Sequence, residues 1–346
     1  MYLITFGTRP ELIKLIPLIL KFKEKNILYL TLFTGQHETL IDDFIEFIPR
    51  IDIRLKNIME KDQSLNKLIS KIIIQTDELL KQFTNITHVI VHGDTSSAYA
   101  IALSSFHYKK QIIHLEAGLR THSKYSPFPE EMNRRLISQI SDIHLCPTEK
   151  AVDNLFKENI TSNVYNVGNT IVDMYKNMTN KFPHDYKLTG IPNTYLLVTL
   201  HRRENRGNNM LKMWSQLNNL SSKYHIIYIS HPSLPESKIQ LLNEIIVMEP
   251  QNYTNMFLLI NNSMGIITDS GGIQEEAVCA GKKVLICRDN TERPETIECG
   301  LGKLIGTEIE NNIDFFKEKV VIDKNPFGEN VVEKICNILP EQLLNV

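Results

Sequence analysis

The sequence has no apolar run that approaches the roughly 20 residues needed to cross a bilayer. It has no excess of basic charge either, because 38 Lys and Arg stand against 40 Asp and Glu, a formal net charge of −2. That balance argues against nucleic acid as the main partner but leaves room for a local basic pocket that binds one small anion. The N-terminal residues lack the basic region and cleavage site of a secretory signal, and they predict a first strand and turn instead.

Cysteine is scarce, with five residues in a chain of 346 and no CxxC spacing. An odd, scattered set is untypical of disulfide frameworks and of zinc sites. We therefore expect reduced thiols, a cytoplasmic location and no bound metal. The sequence also lacks GxGxxG and P-loop patterns, so neither a dinucleotide nor an ATP cofactor is indicated.

What the sequence does contain is an alternation of short apolar runs, rich in β-branched residues, with longer amphipathic stretches. This alternation predicts an α/β fold with parallel sheets covered by helices on both faces. The predicted strands are Tyr2–Phe6, Tyr29–Phe33, Val89–His92, Ile112–Leu115, Ile143–Leu145, Val164–Val167, Tyr195–Thr199, His225–Ile229, Ile245–Val247, Met264–Thr268 and Lys283–Cys287.

The length suggests two domains, and a polar segment at residues 176–193 is the predicted linker. We expect one doubly wound domain at 1–175, a second at 194–328, and a C-terminal helix within 329–346 that can pack back on the first domain. Ligands of doubly wound sheets bind beyond the carboxyl ends of the strands. A site in a cleft between two facing domains is therefore expected.

The first strand leads into Gly7-Thr8-Arg9-Pro10-Glu11, with Pro10 suited to the first turn of a helix. A helix N-terminus beside Arg9 predicts a phosphate site. The alternative is an ordinary strand-to-helix turn with an exposed arginine.

Three acidic residues occur where strands end or helices begin. Asp94 follows a strand, Glu116 ends another, and Glu130 starts a helix together with Glu131. A carboxylate at the end of an apolar strand is costly unless it is paired or functional. Asp94, Glu116 and Glu130 are therefore candidates for proton transfer. Helix capping is the alternative for one of the two neighbouring glutamates.

The second half contains two segments typical of an anion site. His201 and its neighbour Arg202 follow the first strand of that half, where a solvated charged loop is the alternative. Ser270-Gly271-Gly272 lies between a predicted strand and a helix, so its backbone amides can hold a diphosphate. Glu276, one turn further along that helix, is within reach of a ribose.

Taken in order, these segments resemble the non-hydrolysing UDP-N-acetylglucosamine 2-epimerases. The resemblance extends from Gly7 to about Gly306 and rests on GTRPELIK, TGQHE, VHGDTSS, HLEAGLRT, YSPFPEEMNRR, VGNTIVD, HRREN, TDSGGIQEEA and RDNTERPE. It implies two Rossmann-like domains in the glycosyltransferase-B arrangement, a homodimer, and no nicotinamide or metal. It also implies interconversion of UDP-GlcNAc and UDP-ManNAc, by elimination of UDP to a 2-acetamidoglucal and re-addition.

The resemblance also implies roles for individual residues. Asp94, Glu116 and Glu130 would act as base, acid and charge stabiliser in an order left open, with His201 as a further catalytic residue. The residues that would hold UDP are Arg9, His201, Ser270, Gly271, Gly272 and Glu276. Further candidates for substrate or regulatory contacts are Lys14, Gln36, Gln63, Arg134, Arg202, His231 and Arg293.

The chain departs from the family at a second, regulatory nucleotide-sugar site that many bacterial members have. Thr39 stands where the family has a glutamine, and Asp62 stands where it has an arginine. An acid in place of a base disfavours a second diphosphate there.

Four other functions were weighed against this one. A hydrolysing 2-epimerase usually has GDR where this chain has Gly93-Asp94-Thr95. An epimerase of a 6-deoxy UDP-acetamido sugar shares GTRPE, GDT and EAG but often lacks the SPxPEE and HRREN motifs. A glycosyltransferase would share the Ser-Gly-Gly segment without needing three carboxylates. A non-catalytic nucleotide-sugar sensor would not need reactive residues at every candidate catalytic position.

Overall fold

The computed structural model describes residues 1–36, 44, 47–48, 50–183, 186–231, 242 and 244–339. The chain forms two compact units. Unit 1 contains Met1–Met174 and returns from Phe327 onward, whereas unit 2 is Tyr175–Pro326. A helix, Ile171–Lys181, spans the first boundary, so the segment 176–193 that was expected as a linker begins inside a helix.

Unit 1 is built on a seven-stranded parallel sheet with the order β3-β2-β1-β4-β5-β6-β7. Its strands are β1 Tyr2–Phe6, β2 Tyr29–Phe33, β3 Ile53–Arg54, β4 His88–His92, β5 Gln111–Leu115, β6 Ile143–Cys146 and β7 Val164–Asn166. The helices that follow these strands are α1 Arg9–Glu24, α2 Leu65–Gln82, α3 Ser96–His107, α4 Glu130–Ile140, α5 Glu149–Lys157 and α6 Ile171–Lys181.

Unit 2 repeats this plan with six parallel strands in the order β10-β9-β8-β11-β12-β13. Its strands are β8 Leu196–Thr199, β9 Ile226–Ile229, β10 Ile246–Met248, β11 Gly265–Thr268, β12 Val284–Ile286 and β13 Gly302–Leu304. Its helices are α7 Asn208–Ser221, α8 Tyr253–Asn262, α9 Gly271–Cys279 and α10 Glu295–Glu298, with 3-10 turns at Arg203–Asn205 and Glu310–Lys317.

The predicted fold class is confirmed: both sheets are parallel and have flanking helices. The central strands are buried along their whole length, as the continuous apolar runs of β1 and β4 require. All eleven predicted strands are present. The two short edge strands, β3 and β13, were not predicted. Among the described residues, no helix is both long and apolar enough to cross a membrane.

The returning chain ends in α11, Val331–Ile338, which packs on α1 of unit 1. Glu333 pairs with Lys25 at 2.7 Å and with Lys21 at 3.0 Å. The backbone amide of Val332 donates to Asp173 at 3.0 Å. These contacts attach the last helix to α1 and to α6.

In both units the strand order reverses beside the first strand, between β1 and β4 in unit 1 and between β8 and β11 in unit 2. Loops that leave two such neighbouring strands diverge to opposite faces of the sheet and leave a crevice at the carboxyl ends. The candidate residues follow β1, β4 and β5 in unit 1, and β8, β11 and β12 in unit 2.

Candidate active site

The turn after β1 is organised by Glu11, a buried residue in the first turn of α1. Its Oε2 accepts the backbone amides of Gly7 at 2.9 Å and Thr8 at 2.7 Å, and also the Thr8 hydroxyl at 2.8 Å. Burial raises the pKa of Glu11, against the opposing effect of these hydrogen bonds. The amides of Gly7 and Thr8 are therefore already bonded to Glu11, and the predicted phosphate site at this helix N-terminus depends on Arg9. Arg9 lies with its guanidinium carbon 5.5 Å from the ring centroid of Phe44.

Glu11 also connects this turn to the loop after β4. Its Oε1 accepts the hydroxyl of Thr95 at 2.7 Å, and Thr95 in turn caps α3. Asp94, the residue before, pairs with the buried guanidinium of Arg134 at 2.6 Å, and its carbonyl accepts the Asn133 amide at 2.8 Å. The loop that carries Asp94 is thus tied to α1 through Thr95 and to α4 through Arg134 and Asn133.

Glu116, at the carboxyl end of β5, lies beside two buried cationic or polar groups. Its Oε2 is 2.5 Å from Nζ of Lys14 and 3.2 Å from Nε2 of His92. All three residues are less than a tenth exposed. Glu116 has a φ of +64°, a strained backbone conformation for a residue with a side chain. Strain of this kind persists where the surrounding structure holds it, as it does around many functional groups.

The two glutamates that begin α4 have different surroundings. Glu131 is fully buried and accepts the backbone amides of Thr121 at 2.9 Å and His122 at 3.3 Å. It also pairs with Arg134 and Arg135, each at 3.2 Å. Glu131 is therefore engaged by two backbone amides and two arginines, whereas Glu130 is half-buried at the start of α4.

In unit 2 the loops after β8 and β11 are joined by Asp269. This fully buried carboxylate accepts the backbone amides of His201 at 3.0 Å and Arg202 at 2.9 Å. It also accepts the side-chain amide of Asn205 at 2.9 Å, and that amide donates to the carbonyl of Cys287 after β12 as well. One aspartate and one asparagine thus fix three loops at the carboxyl end of the sheet.

His201 is held by its backbone, while its ring lies stacked on His231 with centroids 4.5 Å apart. Burial lowers the pKa of His201, and the nearby Asp269 carboxylate acts in the opposite direction. Because the ordinary histidine pKa is already near neutral, the lowered value favours a neutral imidazole at pH 7. A neutral ring can both accept and donate a proton.

Ser270 is the N-cap of α9, and its backbone amide donates to the hydroxyl of Thr268 at 2.9 Å. The amides of Gly271, Gly272 and Ile273 follow in the first turn, and within the described chain no acceptor is found for them. A Cβ on Gly272 would meet nothing within 4 Å, so this side of the turn is open. The carboxyl end of β11 thus presents free amides at a positive helix terminus, as an anion site requires. Glu276 lies on the same helix.

Arg293, a candidate for direct contact with substrate, is 8% exposed and is engaged by protein carboxylates. Its Nε is 2.5 Å from Glu275, and its Nη1 pairs with Glu292. Glu292 also pairs with Arg288 at 2.8 Å and lies 4.0 Å from Arg202. These contacts link the loop after β12 with α9 and with the loop after β8.

The residues matched to a regulatory site are spread over several segments. Gln36 accepts the Ser97 hydroxyl at 2.7 Å, and Gln63 accepts the Glu60 amide at 2.8 Å. Asp62 is exposed, with a φ of +55°. Thr39 lies outside the described residues.

Each unit therefore brings its own candidates together at its own switch point. Unit 1 places Asp94 with Arg134, and Glu116 with Lys14. Unit 2 places His201 with His231, and aligns Ser270 with the Gly271–Gly272 turn. Within the part of the chain that the structure describes, no group of three or more His, Cys, Asp or Glu could hold a metal ion.

Sequence reasoning missed the buried carboxylates that fix these loops, Glu11 and Asp269. For Glu11 a signal existed, because Thr8-Arg9-Pro10-Glu11 matches the T-x-x-E spacing of a capping box. For Asp269 no local signal exists, since its partners are more than sixty residues away along the chain.

Comparisons with known proteins first define the class of fold. The glycosyltransferase SnogD from Streptomyces nogalater, only 12% identical, superposes with a TM-score of 0.58 over 97% of this chain and 93% of its own. At that identity the likeness shows the fold alone, a glycosyltransferase-B-like α/β architecture.

Closer similarity defines the family. The family model described as UDP-N-acetylglucosamine 2-epimerase matches residues 21–340. The UDP-N-acetylglucosamine 2-epimerase of Salmonella borreze is 37% identical over 365 aligned positions, which cover 96% of each chain. A crystal structure of the Neisseria meningitidis UDP-GlcNAc 2-epimerase bound to UDP-GlcNAc is 34% identical, with a TM-score of 0.87 over 97% of this chain and 99% of that one. The chain therefore belongs to the UDP-N-acetylglucosamine 2-epimerase family and is an isomerase.

Proposed function

We propose that this protein interconverts UDP-GlcNAc and UDP-ManNAc without net hydrolysis, by eliminating UDP and adding it back. The observation that carries the proposal is the difference between the two switch points. Unit 1 concentrates carboxylates at its strand ends, and unit 2 presents the free amides of the Ser270–Gly272 turn. A relative in the family binds UDP-GlcNAc in its crystal structure.

The substrate explains why both kinds of site are needed. The C2 proton of the sugar is not adjacent to a carbonyl group, so its removal alone would give an unstabilised carbanion. In the proposed route a base takes the C2 proton while the C1–O bond breaks, and the C1=C2 bond of 2-acetamidoglucal forms. UDP leaves with the electron pair of the C1–O bond. Re-addition of UDP to C1 with protonation of C2 from the opposite face gives the epimer.

The departing diphosphate needs donors that are fixed before the reaction begins. In the proposal Ser270 and the amides of Gly271 and Gly272 hold it, with Arg9 and the neutral ring of His201 as further donors. Glu276, one turn along α9, binds the ribose hydroxyls. Asp269, which directly precedes Ser270, supports this assignment. Its carboxylate accepts the backbone amide of His201 and so holds the His201 loop beside the Ser270 turn.

The proton transfers and the positive charge that develops at C1 require carboxylates. In the proposal Asp94, Glu116 and Glu130 supply them. Asp94 and Glu116 each lie beside a buried cation, Arg134 and Lys14, and this arrangement restrains the position of each carboxylate. Microscopic acid and base roles among the three are left open, because the two directions of the reaction exchange them.

In this proposal the partner of the enzyme is a UDP-sugar. By analogy with the family, the enzyme acts as a homodimer in the cytoplasm. The five cysteines are all free thiols in the structure, which supports a reducing compartment. Burial raises the pKa of Cys146 to about 12, so this thiol is poorly reactive at neutral pH.

The test is NMR of the purified protein with UDP-GlcNAc in D2O. We expect UDP-ManNAc with deuterium at C2 and no lasting accumulation of free UDP. Release of free ManNAc together with UDP would establish a hydrolysing enzyme instead. If UDP-GlcNAc shows no deuterium exchange but its 6-deoxy analogue does, the substrate is the 6-deoxy sugar.

A further inference from the structure

His92 is the last residue of β4, and its ring is buried at the carboxyl edge of the sheet in unit 1. It pairs in register with Leu115 on β5, the residue directly before Glu116. Its Nε2 lies 3.2 Å from Oε2 of Glu116. A polar ring that ends an apolar strand is costly to bury unless it has a partner, and the carboxylate of Glu116 provides one.

The backbone beside His92 is attached to the strand that carries Glu116. The amide of Gly93 donates to the carbonyl of Leu115 at 2.9 Å, and the carbonyl of Gly93 lies 2.8 Å from Nε2 of His114. Burial lowers the pKa of His114 to about 3, so its ring is neutral, and Nε2 must carry the proton because a carbonyl can only accept. His92 and Glu116 are therefore fixed on neighbouring strands whose ends are bonded to each other.

Glu116 has two donors at one oxygen, and they come from different elements. Nζ of Lys14 reaches Oε2 from α1 at 2.5 Å, and Nε2 of His92 reaches it from β4. Lysine is a point charge on a flexible stem, whereas the imidazole ring is rigid and its N–H points in one direction. Lys14 therefore supplies charge, and His92 is the contact that can set the direction of the carboxylate.

The alternative is a structural role through Glu11, the carboxylate that joins the loops after β1 and β4. Burial raises the pKa of Glu11, and Thr95, Gly7 and the nearby His92 act in the opposite direction. A His92 that served only Glu11 would stabilise these loops without affecting proton transfer. The two roles differ in the carboxylate through which the ring acts, so they can be separated by experiment.

We infer that His92 is a positioning residue for proton transfer, which acts through Glu116 by donating from Nε2 to its carboxylate. The ring and Lys14 together hold Oε2, so that Glu116 meets the sugar in one orientation. This inference rests on the proposed function, because it assumes that Glu116 transfers a proton. A distance of 3.2 Å is at the outer end of the hydrogen-bond range, and such contacts often shorten when substrate completes a site.

The test compares two amide substitutions at His92 in the full chain. Glutamine can place its NH2 group near the position of Nε2, whereas asparagine is one methylene shorter and does not reach Glu116. We expect His92→Asn to lower kcat for UDP-GlcNAc by about tenfold or more with KM within about twofold, and His92→Gln to keep kcat within about threefold of wild type. His88→Asn is the matched control and should turn over normally, because His88 is buried on the same face of β4 but contacts Tyr2.

A double-mutant cycle separates action through Glu116 from action on the fold. In the Glu116→Gln background, which has already lost the carboxylate, His92→Asn should lower kcat by less than about twofold further. A structural role would lower the melting temperature and reduce kcat by the same factor in both backgrounds. If His92→Asn is not obtained folded, His92→Leu takes its place. The inference is overturned if the variant turns over within about twofold of wild type, if His92→Gln is as impaired as His92→Asn, or if the two backgrounds show equal losses.

The tautomer of His92 gives a readout that does not depend on activity. In 15N NMR of histidine-labelled protein, the ring of His92 is identified by its loss in His92→Asn and should carry a proton on Nε2. A ring with its proton on Nδ1 alone cannot donate to Glu116 and would overturn the inference.

Failure of the proposed function would look different from failure of this inference. A wild-type protein that exchanges the C2 proton of neither UDP-GlcNAc nor its 6-deoxy analogue contradicts the proposed reaction, and the inference fails with it. If only the 6-deoxy analogue is turned over, the same variants are measured on that substrate, since Glu116 has the same task there. An active wild type with a normal His92→Asn variant contradicts the inference alone.

Discussion

The two units share the same plan of strand order, and in each unit a buried carboxylate joins the loops at the switch point. The two carboxylates differ in which backbone amides they bind. In unit 1 the joining carboxylate is Glu11, which binds the amides of Gly7 and Thr8 in front of α1 and the Thr95 hydroxyl. In unit 2 it is Asp269, which binds amides of the loop after β8 and none in the first turn of α9.

The choice of amides that the buried carboxylate binds determines what each switch point can hold. The turn before α1 already carries a carboxylate at the helix terminus, and further acids lie nearby at Asp94 and Glu116. Within the described residues, the amides that begin α9 have no acceptor, and Arg293 lies against this turn. A negative ligand group therefore fits unit 2, and a developing positive charge fits unit 1. In the proposed function the same topology thus serves two different parts of one reaction.

The strongest test of this difference between the units is to neutralise the carboxylates of unit 1. Glu116→Gln and Asp94→Asn should each lower kcat by ~10²-fold or more, because proton transfer loses its base or acid. The Kd for UDP, measured by calorimetry, should stay within about twofold of wild type, because the proposed function assigns most of the UDP contacts to unit 2. Near-normal turnover in either variant would remove that residue from the mechanism. A large loss of UDP affinity would show that the two units do not divide the work.

A second experiment compares the two joining carboxylates by amide substitution. Asp269→Asn should lower the free energy of unfolding by about 2–3 kcal/mol, because its new NH2 group cannot accept the surrounding N–H donors. Glu11→Gln should cost less than about 1 kcal/mol at pH 7. Its oxygen can keep the Gly7 and Thr8 amides while its NH2 donates to the Thr95 oxygen.

Burial also raises the pKa of Glu11, so the charged form is disfavoured in the folded state, and this penalty grows as pH rises above the ordinary carboxyl range. Glu11→Gln should therefore compare more favourably with wild type at pH 7 than at pH 4.5. Urea denaturation followed by far-UV circular dichroism gives both values. Trp214, the single tryptophan, is buried in the core of unit 2 and reports the Asp269 variant by fluorescence. Equal losses in the two variants would contradict the proposed difference.

The third prediction concerns the pH dependence of stability. Burial lowers the pKa of His114 in unit 1 to about 3, while the unfolded side chain titrates near 6.5. The stability that the neutral ring contributes is thus complete above pH 6.5 and is lost as pH falls from 6.5 toward 3, by at most ~1.4 kcal/mol per pH unit. His114→Gln lacks this titration, so the stability advantage of wild type over the variant should shrink by that slope between pH 6.5 and 4.5.

The same substitution at the exposed His225 of unit 2 is the control for this measurement. Urea unfolding of wild type, His114→Gln and His225→Gln at each pH gives the three slopes. A constant difference between wild type and His114→Gln across the range would mean that folding does not lower the pKa of His114.

Much of the fold could be predicted from the sequence because it depends on local pattern. Strands buried on both faces must be continuous apolar runs, and β1, β4, β8 and β11 all are. The edge strands β3 and β13 have only two and three residues, too few to show a pattern. The polar residues around 176–181 predicted a linker because one exposed helix face dominates their composition, yet they complete α6.

The candidate site was only partly visible in the sequence. Residues that follow strands could be placed at the carboxyl edge by topology, which brought out Asp94, Glu116 and Ser270. The partners that determine their behaviour come from distant segments, such as Lys14 for Glu116 and Arg134 for Asp94. Arg293 stays a predicted contact for substrate, and its two carboxylate partners, Glu275 and Glu292, could not be foreseen from the sequence. Such pairings depend on tertiary structure and cannot be recognised from the spacing of residues along the sequence.

The return of the chain to unit 1 has a consequence for synthesis on the ribosome. Unit 2 is translated as an insertion after Met174, and α11 emerges only after all of it. At 5–20 residues per second, α1 waits on the order of 15 to 60 s for the helix that packs on it. During that interval the apolar contacts of Val331 and Ile335, which are buried in the finished protein, do not yet exist. The unit that leaves the ribosome first is therefore the one that finishes folding last.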